Sequence, residues 1–164
     1  MLDLFKPIST FVFDIDGVLT DGNLLVSEEG HLLRTMYIRD GYALQLAVKK
    51  GYNVWVLSGG RTEAVRNRLN KLGVEQVHLG VEDKRECMQE LAGALNVPLE
   101  HILYMGDDMP DHAAMSICGL PCCPSDAVPE IKQISKYIST VGGGKGCARD
   151  VLEKVLKLNG HWAI

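Results

Sequence analysis

Two acidic clusters stand directly after short apolar runs, where their carboxylates can hold a metal ion. Asp14 and Asp16 follow the run at residues 11–13, and Asp107, Asp108 and Asp111 follow the run at residues 102–105. If both runs are strands of one parallel sheet, the clusters meet at its carboxyl edge, where such sheets bind ligands. Unit charges 4 Å apart repel by about 4 kcal/mol at an effective dielectric constant near 20, so the clusters require a cation. Oxygen ligands favour magnesium, manganese or calcium over zinc.

Two further features suit a phosphate group, which favours magnesium among these ions. Ser58-Gly59-Gly60 follows another apolar run and offers a hydroxyl group and backbone amides near the start of a helix. Lys84 opens the next predicted helix, where its ammonium group can neutralise a carboxylate nucleophile and an incoming phosphate. Taken singly, these features are also typical of solvated turns, an adventitious calcium loop and a surface lysine. Their ordered occurrence after successive strands favours the phosphate site.

The elements that must position these residues form an alternating pattern. Short apolar runs alternate with segments of helical periodicity, which predicts an α/β fold with a Rossmann-like parallel sheet and flanking helices. The predicted strands are residues 11–13, 54–57, 76–79, 102–105 and 120–123. Thr62 and Asp83 each precede a segment with apolar residues at helical spacing, so we expect both to cap helices. A length of 164 residues predicts a single domain over residues 1–164.

The segment from Leu24 to Ile38 departs from this alternation. Glu28-Glu29-Gly30 separates two β-prone runs, which predicts a projecting hairpin, followed by a helix that begins near Asp40. Residues 21–53 leave room for this hairpin and helix alone, and residues 61–83 leave room for one helix and one strand. The sequence therefore predicts that no further domain covers the site.

Composition and charge exclude several classes of protein. The chain is 46% apolar without a run of the ~18 apolar residues that a membrane span requires. Its formal net charge of -4 argues against nucleic-acid binding, which needs a clustered basic face. Residues 1–6 show no secretory pattern, and the five cysteines have neither disulfide nor metal-site spacing. We expect a cytoplasmic protein with reduced thiols.

The chemistry-bearing residues together resemble the motifs of the haloacid dehalogenase superfamily of phosphatases, over essentially the whole chain. The motifs occur in order as Asp14-Ile15-Asp16-Gly17-Val18-Leu19-Thr20, Ser58, Lys84, and Gly106-Asp107-Asp108 with Asp111. The resemblance implies that Asp14 attacks phosphorus, while Asp16 protonates the leaving alcohol and later activates water. It implies that Asp14, Asp107 and the Asp16 backbone carbonyl bind magnesium, with Asp108 and Asp111 completing or supporting the metal site. Ser58 and Lys84 would bind the phosphoryl group.

Within the superfamily, the chain resembles capless phosphatases that act on 3-deoxy-manno-octulosonate 8-phosphate in lipopolysaccharide biosynthesis. The resemblance lies in Arg39-Asp40-Gly41, which we place at the end of the hairpin, and in the glycine-rich residues 142–146 followed by Arg149. It implies a homotetramer in which the glycine-rich segment is flexible and reaches over a neighbouring subunit's site. The candidate substrate-binding residues are Thr20, Gly59, Arg61, Arg68, Lys71 and Lys145.

One departure and two alternatives bear on the substrate. Relatives that act on the eight-carbon sugar place arginine directly after the glycine that follows the motif serine, whereas here Gly60 intervenes before Arg61. The alternative substrate is a nine-carbon, sialic-acid-like keto-sugar phosphate. A non-catalytic metal-binding scaffold is the other alternative, although a scaffold has no physical need for the full set of acidic, hydroxyl and lysine residues.

Overall fold

The core of the fold is a six-stranded parallel sheet, seen in a computed structural model that describes residues 1–162. Its strands are β1 (Thr10–Phe13), β4 (Asn53–Leu57), β5 (Gln76–His78), β6 (Ile102–Met105), β7 (Leu120–Cys123) and β8 (Tyr137–Ile138). They lie in the order β5-β4-β1-β6-β7-β8. The predicted α/β fold and its five strands are confirmed, while the two-residue β8 was missed because so short an apolar run gives no periodic signal.

Six helices cover the two faces of the sheet. They are α1 (Ile38–Lys49), α2 (Glu63–Lys71), α3 (Lys84–Ala94), α4 (His112–Met115), α5 (Pro129–Ile134) and α6 (Cys147–Leu158). Helices α1, α2 and α6 share one apolar core with Phe11 and Phe13 of β1, and α3, α4 and α5 share the other core with Val12. The side chains of β1 therefore alternate between the two cores, as expected for a strand that is buried on both faces.

Helix starts and strand register bring the site together at the carboxyl edge of the sheet. The side chains of Thr62 and Asp83 accept hydrogen bonds from backbone N–H groups of α2 and α3, which confirms both predicted caps. Phe13 at the end of β1 pairs with Val56 of β4 on one side and with Met105 of β6 on the other. The loops that follow these three strands are therefore neighbours.

The projecting hairpin is present, and it stands apart from the main sheet. Its strands β2 (Leu25–Val26) and β3 (Leu32–Leu33) pair with each other in antiparallel register. The residues between β1 and β4 form this hairpin and α1, and those between α2 and α3 form β5, so the described chain has no cap domain between these elements. None of the described helices is long and apolar enough to cross a membrane.

The placement of Arg39-Asp40-Gly41 at the end of the hairpin is wrong, because these residues form the first turn of α1. Asp40 is buried there, and its Oδ1 accepts a hydrogen bond of 2.9 Å from the backbone N–H of Arg149 in the first turn of α6. Burial raises the pKa of Asp40 to about 6, against the opposing effect of this hydrogen bond. Asp40 thus joins the starts of two helices and holds its proton more tightly than an exposed aspartate does.

The glycine-rich segment packs against its own subunit, while its predicted reach over a neighbouring subunit's site stays a prediction. Within this chain it packs against the loop after β1, where the Gly144 N–H donates a hydrogen bond of 2.9 Å to the Val18 carbonyl oxygen. The Gly143 N–H donates to Asp126 Oδ1 at 3.0 Å. A Cβ atom at Gly143 would fall 2.0 Å from the Gly17 carbonyl oxygen. The glycines are needed because two stretches of backbone touch here, so the segment supports its own subunit's acidic loop.

Candidate active site

Asp14 and Lys84 form the centre of the site. Asp14 follows β1 and is buried, and its Oδ1 accepts a hydrogen bond of 2.7 Å from the Ile15 N–H. Lys84, the first residue of α3, is also buried and places its Nζ 3.0 Å from Asp14 Oδ1. This arrangement fixes one carboxylate oxygen beside a cation, as a carboxylate nucleophile for an anionic substrate requires.

Asp111 holds Lys84 in place through a hydrogen bond. It is fully buried, and its Oδ1 accepts from Lys84 Nζ at 2.8 Å and from the Tyr104 hydroxyl group at 2.8 Å. Its Oδ2 accepts from the Asp107 N–H at 3.0 Å. Both oxygens are occupied by protein donors, so Asp111 supports the site instead of facing a ligand. The sequence analysis did not single out Tyr104, although a tyrosine inside a core strand needs a polar partner for its hydroxyl group.

Asp107 has an oxygen that no described protein group satisfies. Its Oδ1 is buried without a hydrogen-bond partner. Asp14, Asp107 and Asp111 each offer an oxygen within 4.8 Å of the others. A Cβ atom at Gly17 would fall 1.9 Å from Asp107 Oδ2, and the φ of Gly17 is +91°, so glycine is required to bring the two loops together. An orphaned buried oxygen beside a second carboxylate fits a hard divalent cation.

The pKa shifts show the cost of this arrangement without a cation. Burial and then the charge of Asp111 raise the pKa of Asp14 to about 8, although Lys84 opposes the shift. Burial, with the charges of Asp111 and Asp108, raises the pKa of Asp107 to about 7. Burial lowers the pKa of Lys84, but the carboxylates of Asp111 and Asp14 outweigh burial and raise it. Lys84 therefore stays charged, but its single positive charge does not neutralise the carboxylates around it.

Asp16 also lines the cleft, and it is paired with Arg34, which was not predicted from the sequence. Arg34 Nε donates to Asp16 Oδ1 at 2.6 Å, and Arg34 Nη2 donates to Asp16 Oδ2 at 3.3 Å. Arg34 follows β3 of the hairpin, 18 positions after Asp16. Such a distance carries no periodic signal, although a cation in a hairpin predicted beside an acidic loop was a possible clue.

The cleft between these residues has a volume of about 290 Å³. Asp14, Asp16, Gly22, Ser58, Gly59, Gly60, Lys84, Asp107, Asp108 and Pro110 line it. Ser58 is buried, and its Oγ accepts a hydrogen bond of 3.2 Å from the Gly60 N–H. The residues that were predicted to bind a phosphoryl group thus share one small cleft with both acidic loops.

The side chains of two predicted ligand-binding residues accept hydrogen bonds from backbone N–H groups of their own loops. Thr20 is fully buried, and its Oγ1 accepts hydrogen bonds from Gly17 N–H at 3.3 Å and Gly22 N–H at 3.2 Å. These two bonds tie its side chain into the loop, and its assignment to substrate stays a prediction. Asp108 lines the rim of the cleft, but its Oδ1 accepts from the Met109 N–H at 2.7 Å. It lies outside the cluster formed by Asp14, Asp107 and Asp111, and its assignment as a metal ligand stays a prediction.

Four basic residues that we assigned to the substrate do not line this subunit's cleft. Arg61 turns toward Gly80, where a Cβ atom would fall 2.6 Å from the Arg61 Cζ. Arg68 and Lys71 belong to the last turn of α2, and helix α2 starts at the cleft and runs away from it. Lys145 lines a separate groove that also contains Arg39. The residues predicted to bind the phosphoryl group thus share one subunit's cleft, whereas these four cations lie outside it.

Comparisons with known proteins agree with this geometry. A family model of haloacid dehalogenase-like hydrolases matches residues 77–148. The 3-deoxy-D-manno-octulosonate 8-phosphate phosphatase KdsC of Yersinia pestis is 30% identical over 149 residues, which cover 91% of this chain and 80% of that protein.

Two solved structures extend the similarity to three dimensions. One is the 3-deoxy-D-manno-octulosonate 8-phosphate phosphatase of Moraxella catarrhalis in complex with a magnesium ion, a phosphate ion and a KDO molecule. It has a TM-score of 0.92 at 31% identity, over 96% of this chain and 90% of that chain. The cobalt-bound deoxy-D-mannose-octulosonate 8-phosphate phosphatase of Haemophilus influenzae has a TM-score of 0.90 at 30% identity, over 95% and 88%.

The similarity extends over almost the whole chain and includes the strands that carry the site. The chain therefore belongs to the haloacid dehalogenase-like hydrolases, in the family of the 3-deoxy-D-manno-octulosonate 8-phosphate phosphatases.

Proposed function

We propose that this phosphatase hydrolyses 3-deoxy-D-manno-octulosonate 8-phosphate through an aspartyl-phosphate on Asp14. The observation that carries the chemistry is the contact of 3.0 Å between Lys84 Nζ and Asp14 Oδ1, in a cleft that Ser58 and Asp107 also line. A buried carboxylate held by a buried ammonium group, next to a hydroxyl group and backbone amides, suits attack on a phosphate ester.

In the first step, Asp14 attacks phosphorus and the ester bond to the sugar oxygen breaks. Lys84 and Ser58 stabilise the charge on the phosphoryl oxygens, which is the main contribution that a protein makes to phosphoryl transfer. Asp16, which lines the same cleft as Asp14, gives a proton to the leaving oxygen. The products of this step are the free sugar acid and Asp14 carrying the phosphoryl group.

In the second step, water attacks the phosphorus of the aspartyl-phosphate. Asp16 accepts the proton from that water, so inorganic phosphate leaves and the Asp14 carboxylate is regenerated. The open cleft favours this hydrolysis over transfer to a second substrate, because the described chain has no cap domain that would exclude water.

We propose magnesium as the cofactor, held by Asp14, Asp107 and the backbone carbonyl of Asp16. The orphaned Oδ1 of Asp107 supports this assignment, and the related Moraxella catarrhalis enzyme contains magnesium. Bound magnesium supplies positive charge to the carboxylates and to the substrate's phosphate oxygens. Asp111 keeps Lys84 and the Asp107 backbone in place through its hydrogen bonds.

The eight-carbon sugar acid is supported by the family and by the KDO molecule in the Moraxella catarrhalis structure. Its carboxylate needs a fixed cation, and Arg61, Arg68 and Lys71 lie outside the subunit's own cleft. We assign that role to basic residues of a neighbouring subunit, with Arg68 and Lys71 at the end of α2 as the candidates.

A homotetramer would supply that neighbour, and the hairpin offers a surface for it. Leu25, Val26, Leu32 and Leu33 are each more than half exposed. Leu25 and Leu33 are cross-strand partners on one face of this two-stranded ribbon, and exposed apolar residues of this kind are what proteins bury in interfaces. The five cysteines are free thiols, which supports a reducing compartment. We therefore place the enzyme in the cytoplasm, where it supplies a lipopolysaccharide sugar.

Magnesium is expected to stabilise the folded protein, and more so at pH 8 than at pH 5.5. Because the raised pKa values of Asp14 and Asp107 mean that the folded state binds extra protons, the metal-free protein loses stability as pH rises from about 4 to 8. A magnesium concentration 100 times Kd should raise Tm at pH 8 by roughly 5 °C or more. Thermal unfolding with magnesium or with chelator measures both effects.

The matched variants are Asp107→Asn and Asp3→Asn. Asp107→Asn should abolish the magnesium-induced rise in Tm while leaving the metal-free protein at least as stable at pH 8, because it removes one of the repelling charges. Asp3 is exposed, so Asp3→Asn should keep the full rise. An undiminished rise in Asp107→Asn would contradict the proposed metal site.

Asp14→Asn should abolish magnesium-dependent phosphate release, with a loss of roughly 1000-fold or more, because the amide cannot form the acyl phosphate. Its circular dichroism spectrum should match that of the wild-type protein. A colorimetric phosphate assay measures the rate. Retained turnover would rule out the nucleophile, and an inactive wild-type protein would favour the non-catalytic scaffold.

A steady-state comparison of eight- and nine-carbon keto-sugar phosphates tests the substrate. We expect kcat/KM to favour 3-deoxy-D-manno-octulosonate 8-phosphate by roughly 10-fold or more, which is the size of discrimination that pocket fit supplies. Preference for the nine-carbon ester would support the alternative substrate. Equal or negligible rates on both compounds would overturn the assignment to the eight-carbon sugar.

Charged residues in the hairpin are expected to break the assembly. Leu25 and Leu33 are cross-strand partners, and the double substitution Leu25→Lys and Leu33→Lys should convert the tetramer into smaller species because it places two ammonium groups in the contact. Light scattering after size exclusion measures the mass. Leu95→Lys, at an exposed leucine after α3, is the control and should remain tetrameric. A monomeric wild-type protein would contradict the proposal.

A further inference from the structure

The ion pair between Arg34 and Asp16 differs from an ordinary surface pair. Two nitrogens of the guanidinium group donate to the two oxygens of the carboxylate. The Arg34 side chain is 9% exposed, whereas that of Asp16 is 36% exposed and lines the cleft. A buried, bidentate arginine holds a carboxylate in one orientation, which a lysine with a single ammonium group does not do.

The two oxygens of Asp16 are held unequally. Arg34 Nε lies 2.6 Å from Oδ1, whereas Nη2 lies 3.3 Å from Oδ2. Oδ2 faces the Ser58–Gly60 turn, since a Cβ atom at Gly60 would lie 3.5 Å from it and 3.5 Å from Arg34 Nη2. The firmly held oxygen is thus Oδ1, and the loosely held oxygen points to the cleft.

We propose that Arg34 is a positioning residue that fixes Asp16 through Oδ1 and leaves Oδ2 to carry the transferred proton in both steps. This inference rests on the proposed function and adds the orienting group to it. Lys84 performs the corresponding task for the nucleophile, because its Nζ contacts Asp14 and Asp111. The cleft therefore has one cation for each of its two reacting carboxylates.

The proton balance identifies the steps that depend on Arg34. When Asp14 displaces the sugar oxygen, the proton on Asp16 Oδ2 passes to that oxygen and Asp16 becomes a carboxylate. When water attacks the aspartyl-phosphate, its proton passes back to Oδ2. A nitrophenolate leaving group departs as a stable anion without this proton, so p-nitrophenyl phosphate needs Asp16 in the second step alone.

The position of Arg34 also connects the hairpin to the chemistry. Strands β2 and β3 pair with each other and not with the main sheet, and Arg34 follows directly after β3. Arg34 also lines a groove between the hairpin and the start of α2, together with Thr62 and Val65. Movement of the hairpin base therefore moves the group that orients Asp16.

The test compares Arg34→Ala, Arg34→Lys and the control Arg85→Ala, an exposed arginine on α3. With the sugar phosphate, Arg34→Ala should lower kcat roughly 10- to 100-fold, a part of the full contribution of a general acid and base. KM should change less than about 3-fold, because Arg34 acts on Asp16 and not on substrate binding. Arg34→Lys should recover part of kcat, and Arg85→Ala should match the wild type.

Rapid mixing with p-nitrophenyl phosphate separates positioning from a merely structural role. In Arg34→Ala the first step should stay fast and the second should slow, so a burst of nitrophenolate of up to one equivalent per site should precede slow turnover.

Equal loss on both substrates without a larger burst would overturn the inference, as would a raised KM with unchanged kcat. An inactive wild-type protein would overturn the proposed function and this inference together, whereas an active wild type with an unaffected Arg34→Ala variant would overturn this inference alone.

Discussion

The structure depends on how buried negative charge is distributed at one edge of the sheet. Asp14, Asp107 and Asp111 lie within reach of one ion, and the ammonium group of Lys84 contacts two of them. Asp111 is satisfied by protein donors on both oxygens, whereas Asp107 keeps a buried oxygen without a partner. The protein groups therefore neutralise the deeper carboxylate, Asp111, and leave the uncompensated charge on Asp107, which lines the cleft. This distribution explains why the pKa values of Asp14 and Asp107 rise although a lysine lies beside them.

Holding such a cluster requires rigid backbone on every side, and the fold supplies it from distant parts of the chain. The carboxylates follow β1 and β6, which are neighbours at the centre of the sheet. Within the loop after β1, the Thr20 side chain accepts hydrogen bonds from two backbone N–H groups. The Gly143–Gly144 backbone packs against this loop, with a hydrogen bond from Gly144 to Val18. A side chain on Gly17 would strike Asp107. The free energy needed to keep like charges together thus comes from backbone contacts and the core, since the charges themselves repel.

The sequence was informative where a residue's role follows from its neighbours along the chain. Asp14 and Asp107 were found because each follows an apolar strand, and the caps Thr62 and Asp83 were found because helical periodicity starts after them. Arg34 was missed because its contact with Asp16 joins a hairpin to a loop across 18 positions. Thr20 and Asp108 were assigned to ligands because their positions match motifs. Which way a short polar side chain turns depends on nearby N–H groups, and these are not visible in a pattern of residue types. The single domain over residues 1–164 stays a prediction.

The hairpin has an arginine directly after it that contacts Asp16 of the cleft, and it has exposed apolar residues. A two-stranded ribbon has little stability of its own, so contacts outside the ribbon must fix its position. Arg34, directly after the hairpin, binds Asp16, and Leu25 and Leu33 of the hairpin are exposed in the isolated subunit. If neighbouring subunits bury these leucines, assembly restrains the hairpin, and the hairpin in turn restrains Asp16, the proposed general acid and base. A capless phosphatase can then obtain from its oligomer the ordering of the site that a cap domain would provide in a monomer, because both act by limiting how the groups around the cleft can move.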